Sequence, residues 1–309
     1  KIALFCSVPN KSVISMHDVD TVYSIPILLN KQKVDKTILE KLRIKSKNPQ
    51  LNDWKRVVKA KLLPEKEVNV AFVGKYTELK DSYKSINEAL EHAGIKNKTK
   101  VNINFVEAEN LTSRNVNKIL KIADAVLVPG GFGERGIEGM ILACKYSREK
   151  NIPYLGICLG MQVAIIEYAR NVLKLKGANS TEFDQHTKHP VIGLITEWSD
   201  ISGKKETRSK NSDLGGTMRL GGQLCMLKKK SKSYKMYKKE KIVERHRHRY
   251  EVNPRYKSEM INNGLDVVGM SVDGKLVEVI EIPNHKWFLA CQFHPEFTSN
   301  PRDGHPIFN

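Results

Sequence analysis

The sequence lacks any run of about 18 apolar residues, the minimum for a membrane-spanning helix. Its first residues also lack a basic, apolar and small-residue secretion signal. The chain begins at Lys1 without Met and enters an apolar stretch at once, so we expect a fragment that starts inside a domain. These absences predict a protein of the cytoplasm with no membrane partner.

Cysteine is also scarce, with 5 residues in 309, and no two of them form a CxxC pair. They stand at positions 6, 144, 158, 225 and 291. This odd number and wide spacing argue against a disulfide framework or a zinc site, and they fit a reducing compartment. We therefore predict no metal site in the chain, and one of the five thiols remains a candidate nucleophile.

The composition, with 40% hydrophobic and 28% charged residues, is that of a globular protein. A net charge of +18 would by itself suggest a nucleic-acid binder, which stays an alternative. The lysines, however, are scattered along the chain, so we expect no nucleic-acid partner. The densest run, 228–241, is typical of a solvated loop or an exposed helix. The alternative for this run is an anionic partner, such as a nucleotide or an acidic domain.

Three regions follow from the pattern of apolar residues. Residues 1–50 begin with a predicted strand at 2–6, and residues 51–67 form a linker with a predicted helix at 51–63. From residue 68 to 309, apolar strands alternate with amphipathic helices, which predicts an α/β domain. Its mostly parallel central sheet is expected to carry helices on both faces.

The predicted elements of this domain divide into two groups. In the first, strands alternate with helices, at 68–73, 82–92, 101–106, 116–122, 125–128, 137–148, 153–157 and 159–173. In the second, strands predominate, at 192–196, 265–271, 276–282 and 287–293. We expect the second group to extend the sheet as a mixed portion.

The most informative segment is Gly-Ile-Cys-Leu-Gly at 156–160, where an apolar strand meets a helix. It is the thiol counterpart of the G-x-S-x-G nucleophile elbow. Glycine at 156 and 160 permits a sharp turn, which is expected to leave the Cys158 sulfur exposed. The sulfur would lie at a helix N-terminus, where unpaired N–H groups favour a thiolate. A buried structural cysteine in a tight turn is the alternative.

A nucleophile needs a base and a group that orients the base. His294 and Glu296, in Cys-Gln-Phe-His-Pro-Glu at 291–296, are two residues apart and would share one side of an extended backbone. His294 could then move a proton to and from the sulfur, while Glu296 holds the imidazole. A single histidine is more often structural, but this carboxylate partner favours catalysis.

Acyl chemistry also needs donors for an oxyanion. The glycine-rich loop after the strand 125–128 opens at the same sheet edge as the elbow, so the backbone N–H groups of Gly131 and Leu159 could share one carbonyl oxygen. Glu182 could accept from an ammonium group. His246 and His248 alternate with three arginines at 245–249, which favours binding of a carboxylate by arginine over binding of a metal.

The combined motifs resemble the class I, or triad, glutamine amidotransferases, and within them the CTP synthase family. Besides the elbow and the His-Pro-Glu segment, seven stretches carry the resemblance. They are GKY at 74–76, DSYKS at 81–85, PGGFGERGIEG at 129–139, ANSTEF at 178–183, SDLGGTMRL at 212–220, ERHRHRYEVN at 244–253 and FTSNPRDGHP at 297–306. Residues 1–30 resemble the end of that family's N-terminal synthetase domain. Together these stretches cover essentially the whole chain.

The resemblance implies a flavodoxin-like architecture and the amination of UTP to CTP with glutamine and ATP. The chain would carry the glutamine-hydrolysing half, with a Cys158, His294 and Glu296 triad. The implied glutamine-binding residues are Gly131, Leu159, Gly160, Met161, Gln162, Glu182 and Arg249. Glu182 would bind the α-amino group of glutamine, and Arg249 would bind its α-carboxylate.

The resemblance also implies nucleotide contacts. Arg135, Gly136 and Glu138 match the loop on which GTP acts as an allosteric activator. His17, Asp18 and Val19 match an ATP-contacting stretch, and Lys1 matches a lysine that contacts UTP or CTP. UTP, CTP, ATP and GTP would thus be partners of the complete enzyme, a homotetramer assembled through the synthetase domain.

The sequence departs from that family in two respects. A phosphate-binding G-x-x-x-x-G-K-[ST] loop is absent, so we expect Mg²⁺ and ATP to bind in a synthetase domain outside this chain. The chain also stops at 309, before the family's usual terminal helix. We therefore expect no CTP synthesis by this chain alone. Another cysteine hydrolase on the same fold remains an alternative.

Overall fold

The structure, a computed structural model, describes residues 1–194, 197–199, 205–207 and 218–309. Residues 195 and 196 of one predicted strand lie outside the described residues, as does most of the SDLGGTMRL stretch, at 212–217. The described part contains helices at α1 Ile2–Phe5, α2 Ile25–Lys31, α3 Val34–Leu42, α4 Asn52–Leu62, α5 Lys84–Lys96, α6 Val116–Leu120, α7 Ile137–Lys150, α8 Leu159–Asn171, α9 Lys232–Tyr237 and α10 Lys257–Asn262. None of these described helices has both the length and the apolar character needed to cross a membrane.

Eight of the fourteen described strands correspond to strands predicted from the sequence. The fourteen strands are β1 Lys66–Gly74, β2 Thr99–Glu107, β3 Ala125–Val128, β4 Tyr154–Ile157, β5 Asn179–Ser180, β6 Pro190–Leu194, β7 Glu197–Ser199, β8 Lys205–Thr207, β9 Arg219–Leu227, β10 Lys241–His248, β11 Tyr250–Val252, β12 Asp266–Ser271, β13 Val277–Glu281 and β14 Phe288–Cys291. The predicted eight are β1, β2, β3, β4, β6, β12, β13 and β14, whereas β5, β7, β8, β9, β10 and β11 were not predicted as strands. In β10, buried and exposed residues alternate strictly, but the buried positions include the polar residues Glu244, His246 and His248, so the sequence shows no apolar alternation there.

The main sheet has nine strands in the order β10-β9-β12-β13-β14-β4-β3-β1-β2. The five strands from β14 to β2 run parallel to one another. From β13 to β10, each strand pairs antiparallel with its neighbour. The predicted α/β architecture, a mostly parallel sheet with a mixed extension, is confirmed.

Two hydrophobic cores cover the two faces of this sheet. One contains α7 and α8, through residues such as Met140 and Ile165. The other contains α5, through Ile86 and Leu90, packed on residues such as Phe72. Because helices cover both faces, the central parallel strands β3, β4 and β14 are apolar along their whole length, and the polar groups next to them lie beyond the ends of these strands.

The predicted strand at residues 2–6 is wrong, since Ile2–Phe5 forms a short helix. Its backbone bonds are local, with Phe5 N donating to Lys1 O at 2.9 Å and Cys6 N to Ile2 O at 2.9 Å. A strand needs a partner for its ladder, and no described strand pairs with this segment. The apolar composition alone therefore predicted the wrong element.

The lysine-rich run 228–241 is partly docked on the domain. Ser231 caps α9 by accepting from Tyr234 N. The Glu281 carboxylate accepts from the backbone N of Lys232 at 3.0 Å and from the backbone N and hydroxyl of Ser233 at 2.7 and 2.6 Å. One buried carboxylate thus fixes the start of this helix, and most of the lysine side chains remain exposed.

Candidate active site

Three neighbouring parallel strands bring the predicted catalytic segments to one edge of the sheet. β4 pairs with β3 on one side and with β14 on the other. Cys158 follows β4, the loop 129–133 follows β3, and the segment 292–296 follows β14. Because parallel strands end at the same edge, the three segments meet there.

The elbow holds Cys158 in a left-handed backbone conformation, with φ 52° and ψ −100°. The turn is so tight that a Cβ at Gly160 would lie 2.2 Å from Val128 O, and one at Gly156 would lie 2.7 Å from Gly160 C. Both positions therefore require glycine. Leu159 and Gly160 are the first residues of α8, so their N–H groups have no partner within the helix.

The predicted exposure of the sulfur is wrong, because Cys158 is only 2% exposed. It instead lines a cavity of about 220 Å³ that is partly open to solvent. The lining residues are Ser82, Tyr83, Ser85, Ile86, Gly130, Gly131, Phe132, Cys158, Arg247, His294, Glu296 and Phe297. The elbow lifts the sulfur off β4, and the loops after β1, β3 and β14 surround it there.

The same cavity contains the predicted histidine and its carboxylate partner. His294 Nδ1 lies 2.7 Å from Glu296 Oε1. The backbone around them is not extended as predicted, because Pro295–Thr298 forms a 3-10 turn. Pro295 starts that turn, and the turn brings the two side chains together. The imidazole is further fixed by its backbone, since His294 N donates to Arg245 O at 2.8 Å.

The far nitrogen of the imidazole is free to act. His294 Nε2 is buried and makes no hydrogen bond of ordinary geometry with any described residue. Burial lowers the pKa of His294, but the charges of Cys158 and Glu296, together with hydrogen bonds to both side chains, outweigh burial and raise the pKa to about 10. The arrangement therefore favours a protonated His294 imidazole in this cavity.

Two further groups contact the sulfur. The buried side-chain amide of Gln292 points Nε2 at Cys158 Sγ over 3.6 Å, and Arg247 O lies 4.0 Å from Sγ. Sequence reasoning assigned no role to either residue. The signal available for Gln292 was its position in the Cys-Gln-Phe-His segment, one residue beyond a fully apolar strand.

Of the predicted glutamine-binding residues, Gly131 lines the cavity, whereas the α8 residues Leu159, Gly160, Met161 and Gln162 do not. The N–H groups of Met161 and Gln162 donate to Cys158 O at 3.0 and 3.2 Å. The side chain of Gln162 is buried and donates to Tyr250 O at 3.1 Å. These α8 residues therefore lie behind the sulfur.

Glu182 and Arg249 lie beside the next two residues of the loop after β3. Glu182 Oε1 accepts from Gly133 N at 2.8 Å, and the Arg249 guanidinium lies 5.9 Å from the Phe132 ring centroid. Burial raises the pKa of Glu182, although Gly133 N–H, Lys75 and Arg249 oppose the rise. Arg249 Nε is buried without a hydrogen-bond partner in the described part of the chain. An anion and a cation thus stand at this loop.

Lys75 is a residue that sequence reasoning did not assign to the site. It follows β1, is 5% exposed, and its ammonium donates to Phe132 O at 2.9 Å and to Gly133 O. Burial, the largest effect, lowers its pKa. Lys75 therefore ties the loop after β3 to the end of β1.

The predicted activator loop lies at the start of α7. Arg135 pairs with Glu109 at 2.6 Å and lies over the Tyr76 ring, 4.2 Å from its centroid. Glu138 pairs with Arg170 at 2.8 Å, and Gly136 caps the helix with φ 71°. The pKa of Arg135 is raised by Tyr76 and Glu109. None of the three predicted residues lines the Cys158 cavity.

The predicted ATP and UTP contacts lie in the N-terminal segment. Lys1, His17 and Asp18 are exposed, Val19 is half-buried, and none of them lines the Cys158 cavity. Within the described ranges, no group of three His, Cys, Asp or Glu side chains is arranged to hold a metal ion. The structure therefore does not bring these four residues to the site.

Beneath β10, five buried ionisable side chains form a closed ring. Arg219 Nη1 contacts Glu278 at 2.6 Å and Glu251 at 3.3 Å. His246 Nδ1 lies 2.8 Å from His248 Nε2, and these imidazoles face Glu278 at 3.6 Å and Glu251 at 3.4 Å respectively. The His246–His248 pair considered for a metal is thus engaged within this ring.

The fold and the elbow at the end of β4 define the class of the protein, a glutamine amidotransferase of class I. The family described as Glutamine amidotransferase class-I matches residues 78–309, most of the chain. A second family, described as CTP synthase N-terminus, matches residues 1–44.

One solved structure identifies the family within this class. The glutaminase domain of Trypanosoma brucei CTPS with bound acivicin is 37% identical, with a TM-score of 0.70, covering 78% of this chain and 90% of that chain. A glutamine amido transferase from Methylobacillus flagellatus is 7% identical, with a TM-score of 0.42, covering 74% of this chain and 70% of that chain. The chain belongs to the CTP synthase family and contains its glutaminase domain.

Proposed function

We propose that this chain hydrolyses glutamine with a Cys158–His294–Glu296 triad and supplies the ammonia for ATP-dependent amination of UTP to CTP. The observation that carries the proposal is the His294 imidazole, which Glu296 holds at Nδ1 in the cavity that contains Cys158, and whose Nε2 makes no hydrogen bond of ordinary geometry with any other described residue. A structural histidine would have both nitrogens satisfied.

In the first half of the reaction, the Cys158 thiolate attacks the carbonyl carbon of the glutamine γ-carboxamide. A tetrahedral intermediate forms and its oxygen becomes negative. His294, protonated at Nε2, gives its proton to the leaving nitrogen, and the C–N bond breaks to release ammonia. The remaining γ-glutamyl group is a thioester on Cys158.

In the second half, water replaces ammonia. His294 is now neutral and accepts a proton from the water, whose oxygen attacks the thioester carbonyl. The C–S bond breaks, glutamate leaves, and the thiolate–imidazolium pair is restored. Glu296 keeps one imidazole orientation throughout and stabilises the positive charge. The sum is glutamine plus water giving glutamate plus ammonia.

Several contacts support the roles proposed for the other residues. Gly131 lines the cavity beside the sulfur, and Leu159 opens α8 with a free N–H, so their backbone groups are available to the oxyanion. Glu182 and Arg249 stand at Phe132 and Gly133, one opposite charge for each end of an amino-acid zwitterion. The wall of the cavity around Cys158 would be supported by the underlying α8 residues Gly160, Met161 and Gln162, which do not line the cavity themselves.

The complete enzyme would also bind nucleotides. We propose that it assembles as a homotetramer. UTP would contact Lys1, ATP would contact His17, Asp18 and Val19, and GTP would activate through Arg135, Gly136 and Glu138. Mg²⁺ and ATP would act in a synthetase domain outside this chain. Breaking the Arg135–Glu109 pair would free a guanidinium for GTP.

The test is glutamine hydrolysis together with covalent labelling by acivicin, the compound bound in the related Trypanosoma brucei structure. We expect acivicin to add to Cys158 and to abolish glutamate release. Cys158→Ala should lose both labelling and hydrolysis, and Glu296→Gln should retain labelling but lose at least about 100-fold in kcat.

The matched control is Cys144→Ala. Cys144 is a buried thiol, and burial raises its pKa, so we expect this thiol to be unreactive. This variant should label and hydrolyse as the wild type does. Labelling of Cys144, Cys225 or Cys291 with Cys158 unmodified would overturn the proposal, as would normal hydrolysis by Cys158→Ala.

A further inference from the structure

Gln292 lies directly after β14 and has a fully buried side chain. Its backbone N donates to Glu278 O at 2.9 Å, which fixes the residue against β13. Its side-chain Nε2 lies 3.6 Å from Cys158 Sγ, within hydrogen-bonding distance for sulfur. A buried amide therefore contacts the atom that is proposed to react.

A backbone carbonyl sets which end of this amide faces the sulfur. Gln162 Nε2 lies 3.1 Å from Tyr250 O, and a carbonyl oxygen can only accept. The same nitrogen lies 3.5 Å from Gln292 Oε1, so Gln292 must present its oxygen to Gln162. The NH₂ group of Gln292 is consequently turned toward Cys158. Flipping this amide would place two donors together at one end and an oxygen at the sulfur.

We propose that Gln292 is a catalytic residue that donates an N–H hydrogen bond to the Cys158 thiolate and stabilises it before it attacks glutamine. This inference rests on the proposed function for its consequence in catalysis, but its geometry stands independently. A donor held in a buried site stabilises an anion more than one in water does, because water does not compete for it.

The second contact of the sulfur complements the first. Arg247 O lies 4.0 Å from Sγ and can accept from a thiol S–H, whereas a thiolate gains nothing from a carbonyl. When Sγ loses its proton to His294 Nε2, the bond to Arg247 O is lost, whereas the N–H of Gln292 continues to donate to the sulfur, beside the new N–H of His294. Gln292 thus stabilises the ionised form selectively.

The inference is tested by the rate at which iodoacetamide alkylates Cys158, with the modified residue located by peptide mass spectrometry. Gln292→Met keeps the length of the side chain and removes the donor. We expect its alkylation rate at pH 7 to fall about tenfold, and the midpoint of its pH–rate profile to move to higher pH. Gln292→Glu has the same shape but turns an oxygen toward the sulfur, so its rate should fall further.

The matched control is Gln223→Met. Gln223 is also a buried glutamine, but its Nε2 donates to Leu220 O at 3.1 Å, and it does not line the Cys158 cavity. Its alkylation should equal that of the wild type. Circular dichroism and thermal melting identify variants that have folded, and Gln292→Glu provides the test if Gln292→Met does not fold.

The outcomes separate this inference from the proposed function. Unchanged alkylation in folded Gln292→Met and Gln292→Glu overturns the inference, even if the chain hydrolyses glutamine. Slower alkylation in both variants supports it, even if no glutamate is released. A loss of hydrolysis with alkylation intact in both variants assigns Gln292 to packing and also overturns the inference.

Discussion

Gly130 faces the His294 ring so closely that a Cβ atom at residue 130 would lie 2.7 Å from His294 Cε1. The same Cβ would lie 3.5 Å from Cys158 Cβ. The glycine after β3 therefore occupies the space between the candidate base and the candidate nucleophile, and any side chain there must displace one of them.

We expect Gly130→Ala to lower kcat/KM for glutamine by about 100-fold, because even a small displacement of a catalytic group is costly. The fold should survive, since the clash is with a ring at the edge of a cavity. Steady-state kinetics checks this. The control is Gly193→Ala, whose Cβ would meet nothing within 4 Å. Wild-type kinetics in Gly130→Ala would contradict the proposed position of His294.

The pKa of His294 depends on the sulfur. Because a Cys158 thiolate helps to raise this pKa to about 10, Cys158→Ala should lower it. NMR titration of the imidazole resonances measures the change, and Cys144→Ala should leave the pKa as it is in the wild type. A His294 pKa that is equal in Cys158→Ala and wild type would show that the two groups do not interact.

The same raised pKa has a consequence for folding. Folded His294 holds its proton more tightly than the unfolded chain, whose ordinary value is 6.5. Its stabilising contribution is therefore complete below about pH 6.5 and is lost as the pH rises toward 10. Chemical unfolding at intervals across this range, in wild type and His294→Gln, should show the difference between them shrinking at high pH.

Lys75 is expected to act through substrate binding. Lys75→Met removes the ammonium that donates to the carbonyls of Phe132 and Gly133, so the loop that carries Gly131 loses its attachment to β1. We expect KM for glutamine to rise by about tenfold, with a smaller change in kcat. Lys66→Met, at the exposed start of the same strand, is the control. An unchanged KM in Lys75→Met would contradict a role of Lys75 in glutamine binding.

The buried ring beneath β10 predicts a large effect on stability. Arg219 is 1% exposed and contacts two carboxylates, so Arg219→Met leaves Glu251 and Glu278 buried without their cation. We expect the free energy of unfolding to fall by about 3–5 kcal/mol. Arg56→Met, which breaks an exposed pair with Asp53, should cost less than about 1 kcal/mol. Equal effects in urea titrations would contradict the role of the ring.

The ring also gives stability a pH dependence. Burial, and then the charge of Glu278, raise the pKa of Glu251 well above its ordinary 4.5, so the folded state retains that proton. The stabilising effect is complete below the unfolded pKa and is lost as the pH rises through the higher folded pKa. Glu251→Gln should therefore flatten the decline of stability with pH. If stability declines with pH in Glu251→Gln as it does in the wild type, other ionisable groups cause the decline.

The sequence was sufficient to predict most strands and helices of the parallel half of the sheet. β3 was predicted at its observed bounds, and β4 and α8 to within two residues, because buried parallel strands are apolar along their whole length. β10 was missed because its buried face carries Glu244, His246 and His248 in place of apolar residues. α1 was mistaken for a strand because an apolar run does not show whether a partner strand exists.

Only those residues of the candidate site that belong to a recognisable sequence motif could be predicted. The elbow, His294 and Glu296 could be identified from local spacing, and the structure brings them together. Gln292 and Lys75 could not be, since their importance lies in contacts with residues 134 and 57 positions away along the chain. Their side-chain types are common, and only the folded topology gives them a partner.

Burial of Cys158 within a small cavity has a practical consequence for chemical selectivity. Compact electrophiles and peroxide should reach the sulfur, whereas bulky aromatic disulfide reagents should meet the rings of Phe132 and Phe297, which line the same cavity. A selective inhibitor would then need a small reactive group that enters the cavity, and its larger substituents would have to extend into solvent.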